Sequence, residues 1–176
     1  MPHKLEKMLN APAKDIMEAI LYGFRAQVDV KGKLAELYLF RYFKELEKSR
    51  EICDLEWIDV DGKPDFTINY KSKTYKIECK NLRNETYKLP TPAYKVEIQK
   101  TRNSKDGTNT RSYHTDYFDI LAVCTFNQTG KWEFYLIRSL DLMVVEDKPS
   151  LLRIMQRVPL TQEEPWEKDI LKVLSK

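Results

Sequence analysis

Two short runs of alternating polarity, joined by a polar connection, constrain the fold of this chain more than any other feature. The runs cover residues 66–70 and 74–80. Every second residue in them is apolar, at Phe66, Ile68, Tyr70, Tyr75, Ile77 and Cys79. Because side chains on a strand repeat every two residues, this pattern predicts an antiparallel β-hairpin with one buried face.

The opposite face of this hairpin carries Asp65, Glu78 and Lys80. Burying both apolar sets on one core forces these three side chains onto the same polar face. A four-residue loop, with Tyr70 paired to Tyr75, satisfies the pattern and places Asp65 directly across from Lys80. A two-residue loop satisfies it too, although no Gly or Asn favours a primed turn.

Two carboxylates and an ammonium on one face suit a divalent cation beside a negatively charged substrate. Asp65 and Glu78 supply oxygen ligands of the kind Mg²⁺ prefers, with positions left for water and phosphate. The charge of Lys80 can hold an attacking water and neutralise charge that builds on phosphorus oxygens. The alternative is a solvent-exposed face whose charges only keep the chain soluble.

The order of these residues resembles a known nuclease motif. Pro64-Asp65 followed by Glu78-Cys79-Lys80 is similar to the PD-(D/E)xK nuclease superfamily, with its restriction-endonuclease-like fold. The resemblance covers residues 31–127 and is greatest to type II restriction endonucleases. It implies an α/β protein with a mixed central β-sheet flanked by helices. It also implies Mg²⁺-dependent hydrolysis of phosphodiester bonds in double-stranded DNA, with Mn²⁺ able to substitute, and usually a homodimer.

The resemblance also assigns a role to Glu36. Helical spacing predicts a helix over residues 31–48 that is apolar over most of its circumference. Glu36 lies one turn before Phe40, an unusual place for an acid on such a helix. In the superfamily, a Glu on the first core helix completes the metal site, which makes Glu36 the fourth catalytic candidate. The alternative is a Glu at the border of the buried face, pointing to water.

A polar, basic segment at residues 100–112 is the candidate DNA-binding loop. Its proposed contacts to the DNA backbone or to bases are Lys100, Arg102, Lys105 and Arg111. Gln99, just before it, is a candidate accessory polar group. The alternative is a solvated flexible connection.

Composition and length bound the remaining possibilities. The 176 residues fit one domain, with 42% hydrophobic and 32% charged residues, and no apolar run approaches a membrane span, so we expect a cytoplasmic protein. A net charge of +3 permits nucleic-acid binding without demonstrating it. Three scattered cysteines indicate neither a disulfide framework nor a zinc site.

The remaining elements follow from local patterns in the sequence. We expect N-terminal helices within residues 1–48, a strand at 52–60, the catalytic hairpin at 62–80, a loop at 81–94, a short strand from Tyr94 to Gln99 and core strands within 117–138. Thr161 with Glu164 forms a capping-box pattern, which predicts a C-terminal helix at 161–175.

The sequence leaves three functional interpretations open. The first is a restriction-type endonuclease, and the second is a DNA repair or junction-resolving nuclease of the same superfamily. The third is a non-catalytic nucleic-acid-binding module, or a subunit that cuts only with a partner. An inert relative would be free to lose at least one of Asp65, Glu78 and Lys80, so their joint presence argues against the third interpretation.

Overall fold

A computed structural model describes residues 2–99 and 111–176 of the chain. Its described residues form two compact units, one ending at Leu34 and the other running from Ala35 to Lys176. The first unit contains helix α1 (Lys4–Leu9), helix α2 (Ala13–Tyr22) and the first turns of the long helix α3 (Phe24–Lys48). Helices α1 and α2 lie within the region 1–48 where N-terminal helices are expected, whereas α3 begins seven residues before the expected start at Lys31.

The second unit is built on a seven-stranded mixed sheet, in which β3 and β5 are parallel and the other pairs are antiparallel. Its strands are β1 (Cys53–Trp57), β2 (Phe66–Tyr70), β3 (Lys73–Tyr87), β4 (Ala93–Glu97), β5 (Ile120–Cys124), β6 (Phe134–Arg138) and β9 (Met155–Val158). Strands β7 (Val144–Val145) and β8 (Lys148–Leu152) form a separate small hairpin, and the helices are α4 (Phe126–Thr129), a 3-10 turn (Ser139–Asp141) and α5 (Ile170–Ser175). The expected mixed sheet with flanking helices is confirmed.

Two apolar clusters make up the core of this unit. Alternate residues of the fully buried strand β5 belong to different clusters, Ile120 to the first and Leu121 to the second. The first cluster includes Phe43 of α3, whose ring meets that of Phe66 on β2 edge to face at 5.8 Å. The second cluster includes Tyr113 together with Leu121 of β5. Because each of these aromatic rings is buried, its truncation to Ala would destabilise the fold by about 3–5 kcal/mol.

Strand β3 organises the sheet around the candidate site. Its residues 73–77 pair with β2, residues 77–81 with β5, and residues from Leu82 to Tyr87 with β4. The expected loop at 81–94 is therefore wrong over its first half. Leu82 is buried and pairs with Val96, so the strand continues beyond the Glu78-Cys79-Lys80 motif. The turn is confined to residues 88–92, which include Pro90 and Pro92.

The β2–β3 hairpin has a two-residue turn, and this changes the expected register. Lys71 and Ser72 have φ of 46° and 63°, the left-handed conformation of a type I′ turn, and Tyr70 pairs with Lys73. This turn matches the twist of the strands and shifts the pairing of β2 with β3 by two residues relative to a four-residue loop. Asp65 comes one residue before the Phe66–Ile77 pair, so it faces Glu78, and the register that placed it across from Lys80 is wrong.

The C-terminal helix is also shorter than expected. It begins at Ile170, with Asp169 as its N-cap, and the predicted helical start at Thr161 is wrong. Pro165 cannot donate a backbone hydrogen bond and disfavours helical geometry at Glu164. The segment instead pairs with the sheet, because the backbones of Glu167 and Leu136 exchange hydrogen bonds. Within the described ranges, no helix is long and apolar enough to cross a membrane.

Candidate active site

The hairpin fixes Asp65 at the start of β2 by two backbone contacts. Its carbonyl oxygen accepts a hydrogen bond from the Ile58 amide at 2.7 Å, and its Oδ2 accepts one from the Cys79 amide at 2.8 Å. The second contact joins the side chain of one motif residue to the backbone of the other motif. Asp65 is therefore held over the middle of the Glu78-Cys79-Lys80 segment.

Glu78 is 3% exposed and its two carboxylate oxygens have different surroundings. Oε1 accepts a hydrogen bond from Lys80 Nζ at 2.5 Å and another from the Tyr113 hydroxyl at 2.8 Å. Oε2 is buried and has no hydrogen-bond partner among the described residues. An unsatisfied buried polar atom costs about 1–3 kcal/mol, and more when it is charged, so this oxygen marks a position where a ligand would stabilise the site.

The electrostatics of the cluster point to missing positive charge. Burial, followed by the charge of Glu78, raises the pKa of Asp65 to about 7. Burial lowers the pKa of Lys80, but the charges of Glu78 and Asp65 outweigh it, so the pKa is raised overall and Lys80 stays protonated. One ammonium thus faces two carboxylates, and its charge does not offset the effect of burial and of Glu78 on the pKa of Asp65.

The donor set fits a hard divalent cation. No group of three or more His, Cys, Asp or Glu side chains able to hold a metal ion occurs in residues 2–99 and 111–176. The carboxylates that the hairpin brings together are the pair Asp65 and Glu78. Mg²⁺ is commonly bound by one or two carboxylates, with water and substrate phosphate completing its shell. The unpartnered Glu78 Oε2 and the raised pKa of Asp65 are what such a site would show without its cation.

Glu36 lies close enough to affect this pair, and it has a hydrogen bond of its own. It is partly buried on α3, and its Oε2 accepts a hydrogen bond from Trp57 Nε1 at 2.9 Å. Its charge also contributes to the raised pKa of Asp65. Glu36 therefore lies at the border of the buried face and within electrostatic range of Asp65, and its role in a metal site stays a prediction.

Tyr113 and Tyr117 lie at the site but belong to no sequence motif, so the sequence analysis did not identify them. Tyr113 is 5% exposed, and its ring stacks on that of Tyr117 at 4.5 Å and meets Phe118 edge to face. Burial, then the charge of Glu78, raises the pKa of both tyrosines, to about 12 for Tyr117. Both therefore remain neutral hydroxyl groups at any physiological pH. The one available signal was the cluster of aromatic residues directly after the basic loop.

The proposed DNA contacts Lys100, Arg102 and Lys105 lie outside the described residues. Arg111 is described and exposed, and its Nη1 lies 3.5 Å from Gln99 Oε1. Gln99 donates to Glu97, which also forms an ion pair with Arg83. Gln99 thus belongs to a charged surface network, and its described hydrogen bonds do not reach Asp65, Glu78 or Lys80.

Comparison with known proteins gives a structural likeness and no family assignment. No protein-family model matches the chain, and no curated protein matches it significantly. Among solved structures, the chain is similar to a bacterial homing endonuclease, I-Ssp6803I, with 16% sequence identity and a TM-score of 0.45. The match covers 80% of this chain and 82% of that one.

Proposed function

We propose that this protein is a Mg²⁺-dependent DNA endonuclease that hydrolyses phosphodiester bonds, of the type II restriction kind. The observation that supports this most directly is the buried, unpartnered Oε2 of Glu78, beside Asp65 and Lys80 on one face of the hairpin. A surface that only served solubility would leave its charges in water. Here the carboxylate is buried and one of its oxygens lacks a partner among the described residues.

Each residue of the cluster then has a distinct task. Asp65 and Glu78 would hold Mg²⁺, which when bound would supply positive charge beside the phosphate and lower the pKa of a bound water. Tyr113 keeps Oε1 of Glu78 occupied, so Oε2 is the oxygen that would be available to a cation. Lys80 orients the attacking water and stabilises charge on the phosphate oxygens as the water oxygen bonds to phosphorus and the bond from phosphorus to the 3′ oxygen breaks. The attacking water loses a proton to solvent, and the 3′ oxygen takes one up. The products carry 5′-phosphate and 3′-hydroxyl ends.

Lys80 is suited to this task because its partner has a second donor. In the structure its Nζ lies 2.5 Å from Glu78 Oε1, and Tyr113 donates to the same oxygen. If the ammonium turns to a phosphate, Oε1 keeps the hydrogen bond from Tyr113. The ion pair can therefore open during substrate binding without leaving both oxygens of Glu78 unsatisfied.

Double-stranded DNA is the proposed substrate because of the basic segment 100–112 and the net charge of +3. A basic insertion of this length between core elements provides phosphate contacts and the reach to read bases in a compact enzyme. That favours a restriction role over repair or junction resolution. Cutting both strands at one site further favours a homodimer that brings two such centres to the duplex.

The test is incubation of the protein with several plasmid DNAs of different sequence, with Mg²⁺ and with EDTA. Discrete Mg²⁺-dependent bands support the restriction activity. Random nicking supports the repair nuclease, and a four-way DNA junction incubated in parallel shows whether cutting is confined to branched DNA, as expected of a junction nuclease. Asp65→Ala is the matched control, because a contaminating nuclease would survive it. No cleavage of any substrate under either condition would overturn the catalytic proposal in favour of a binding module.

A further inference from the structure

The N-terminal helical unit exposes an unusual amount of apolar surface for a chain of this size. None of the described residues 2–34 is buried. Of the twelve large apolar side chains exposed across the described chain, eight lie here, at Leu5, Met8, Leu9, Met17, Leu21, Tyr22, Phe24 and Val28. Met17 is 68% exposed, Leu21 66% and Phe24 80%. Isolated exposed apolar residues are ordinary, but eight within one short unit mark an interaction surface.

The unit is ordered by polar contacts and not by a core of its own. The Glu6 carboxylate accepts hydrogen bonds from the amides of His3 and Ala13, which ties α1 to α2. Gln27 Nε2 donates to the Leu21 carbonyl at the junction of α2 and α3. Helices of six and ten residues are marginal in water without an apolar face buried in tertiary contacts. These helices therefore need a surface to pack against.

The spacing of the exposed residues fits a helix-to-helix contact. Met17 and Leu21 lie one turn apart on α2, and Phe24 and Val28 one turn apart on α3. Each helix thus presents a pair of large apolar side chains on one face.

We propose that this surface, formed by residues 5–28, is the interface through which two copies of this chain associate. The solvent-accessible area of these eight residues is on the order of 1,000 Å², and a standard stable interface buries about 800 Å² per partner. Pairing this surface with its own copy buries apolar side chains of both protomers at once, because a two-fold interface uses the same patch on each copy.

The charges around the surface favour a second copy over an anionic partner. Residues 2–34 contain both signs, with six cations at Lys4, Lys7, Lys14, Arg25, Lys31 and Lys33 and four acids at Glu6, Asp15, Glu18 and Asp29. Helix α2 itself has two acids and one lysine. Helices that bind anionic membranes or nucleic acid carry mainly Lys and Arg on the polar face. Mixed charges can pair with themselves across a two-fold axis.

The C-terminal helix α5 is not available for this role. Its apolar residues Ile170, Val173 and Leu174 are buried in the core of their own unit. The proposed function supplies the purpose of this association, which is to bring two active sites to one duplex. The association itself is independent of DNA and metal.

The experiment compares Met17→Glu/Leu21→Glu with wild type by sedimentation velocity over a concentration series, without DNA or metal. Each dimer of the variant places four carboxylates in the interface, and we expect association to weaken by roughly a hundredfold or more. Leu140→Glu is the matched control, since Leu140 is 72% exposed in the second unit. Circular dichroism checks that helix content is retained. A variant that loses its helices is replaced by Phe24→Ser, which leaves α2 unchanged.

Wild type that dimerises, with a monomeric double variant and a dimeric Leu140→Glu protein, supports the proposal. Wild type that stays monomeric at about 100-fold above typical assay concentrations, or a double variant that dimerises like wild type, overturns it. Binding of monomeric wild type to anionic vesicles would also overturn it, in favour of a membrane surface. Failure of the nuclease proposal is recognised separately. In that case Asp65→Ala and wild type would show the same activity, and the oligomeric state measured by sedimentation would be unaffected.

Discussion

The hydroxyl of Tyr113 donates a hydrogen bond to Glu78 Oε1 at 2.8 Å, which links a buried tyrosine beyond the basic loop to the carboxylate of the hairpin. Lys80 reaches the same oxygen, so both donors leave Oε2 of Glu78 to any cation. Groups that orient a metal ligand commonly alter metal affinity without touching the metal.

Tyr113→Phe should therefore weaken metal binding while the fold is kept. The substitution removes one oxygen and preserves the ring stacked on Tyr117. We expect Mg²⁺ or Mn²⁺ affinity, measured by calorimetric titration, to fall by roughly 10- to 100-fold. Tyr135→Phe is the control, because Tyr135 is buried in the same apolar cluster. Equal metal affinity in Tyr113→Phe and wild type would show that the hydrogen bond does not position Glu78.

Asp65→Asn should remove cleavage and yet stabilise the metal-free protein at high pH. The folded pKa of about 7 lies above the usual value of 3.8, so the folded state binds the proton more tightly than the unfolded chain. The contribution of Asp65 to stability is therefore fully present below about pH 4 and is lost as the pH rises through about 7. Asn keeps an acceptor for the Cys79 amide without the charge.

The expected gain for Asp65→Asn at pH 8 is roughly 2–4 kcal/mol in the free energy of unfolding, and it should vanish near pH 4. Urea unfolding at both pH values, with EDTA present, measures it. Glu45→Gln on the exposed part of α3 serves as the control for loss of a carboxylate. A variant less stable than wild type at pH 8 would mean that the carboxylate is not strained by burial and by Glu78.

The sequence was sufficient to predict which face each hairpin residue occupies, because alternation alone decides that. It did not predict which residue stands opposite Asp65, since loops of two and four residues satisfy the same alternation and the turn at Lys71 contains no Gly or Asn. Tyr113 was out of reach for a different reason. Its hydrogen bond with Glu78 spans 35 residues and depends on how the segment after the basic loop folds back, which no local pattern encodes.

Lys80→Met should slow the chemical step while metal and DNA binding survive. Removal of one preorganised charge interaction costs about 3–4 kcal/mol of barrier, or roughly a hundredfold to a thousandfold in rate. Tyr113 still donates to Glu78 in the variant, so the carboxylate keeps a partner. Single-turnover cleavage at saturating Mg²⁺ measures the rate. A rate within about threefold of wild type would remove Lys80 from the mechanism.

Replacement of Arg102 and Arg111 by Ala tests the basic segment. Each arginine that binds a phosphate in the wild type should, once replaced, reduce the slope of log affinity against log salt concentration by about one. Binding of a labelled duplex by Asp65→Ala protein, measured across a salt series, separates affinity from cleavage. Unchanged affinity and slope would make the segment a solvated connection. Retained affinity with relaxed sequence preference would instead indicate that an arginine reads a base edge.

Glu36 combines two roles that one pair of substitutions can separate. Its Oε2 accepts a hydrogen bond from Trp57 Nε1 at 2.9 Å, and its charge acts on Asp65. Glu36→Gln keeps an acceptor oxygen for Trp57 and removes the charge, whereas Glu36→Ala removes both. Loss of the Glu36 charge beside Asp65 should raise the barrier of the chemical step by about 1.4 kcal/mol. We therefore expect Glu36→Gln to cut DNA roughly tenfold more slowly in a single turnover.

Tryptophan fluorescence reports the other role of Glu36. The emission of Glu36→Gln should match that of wild type, because the indole of Trp57 keeps its acceptor. The emission of Glu36→Ala should shift, because no side-chain oxygen then accepts the hydrogen bond from Nε1. Trp57→Phe identifies the contribution of this indole to the total emission. If Glu36→Gln cleaves as fast as wild type while Glu36→Ala does not, Glu36 anchors Trp57 and takes no part in the site through its charge.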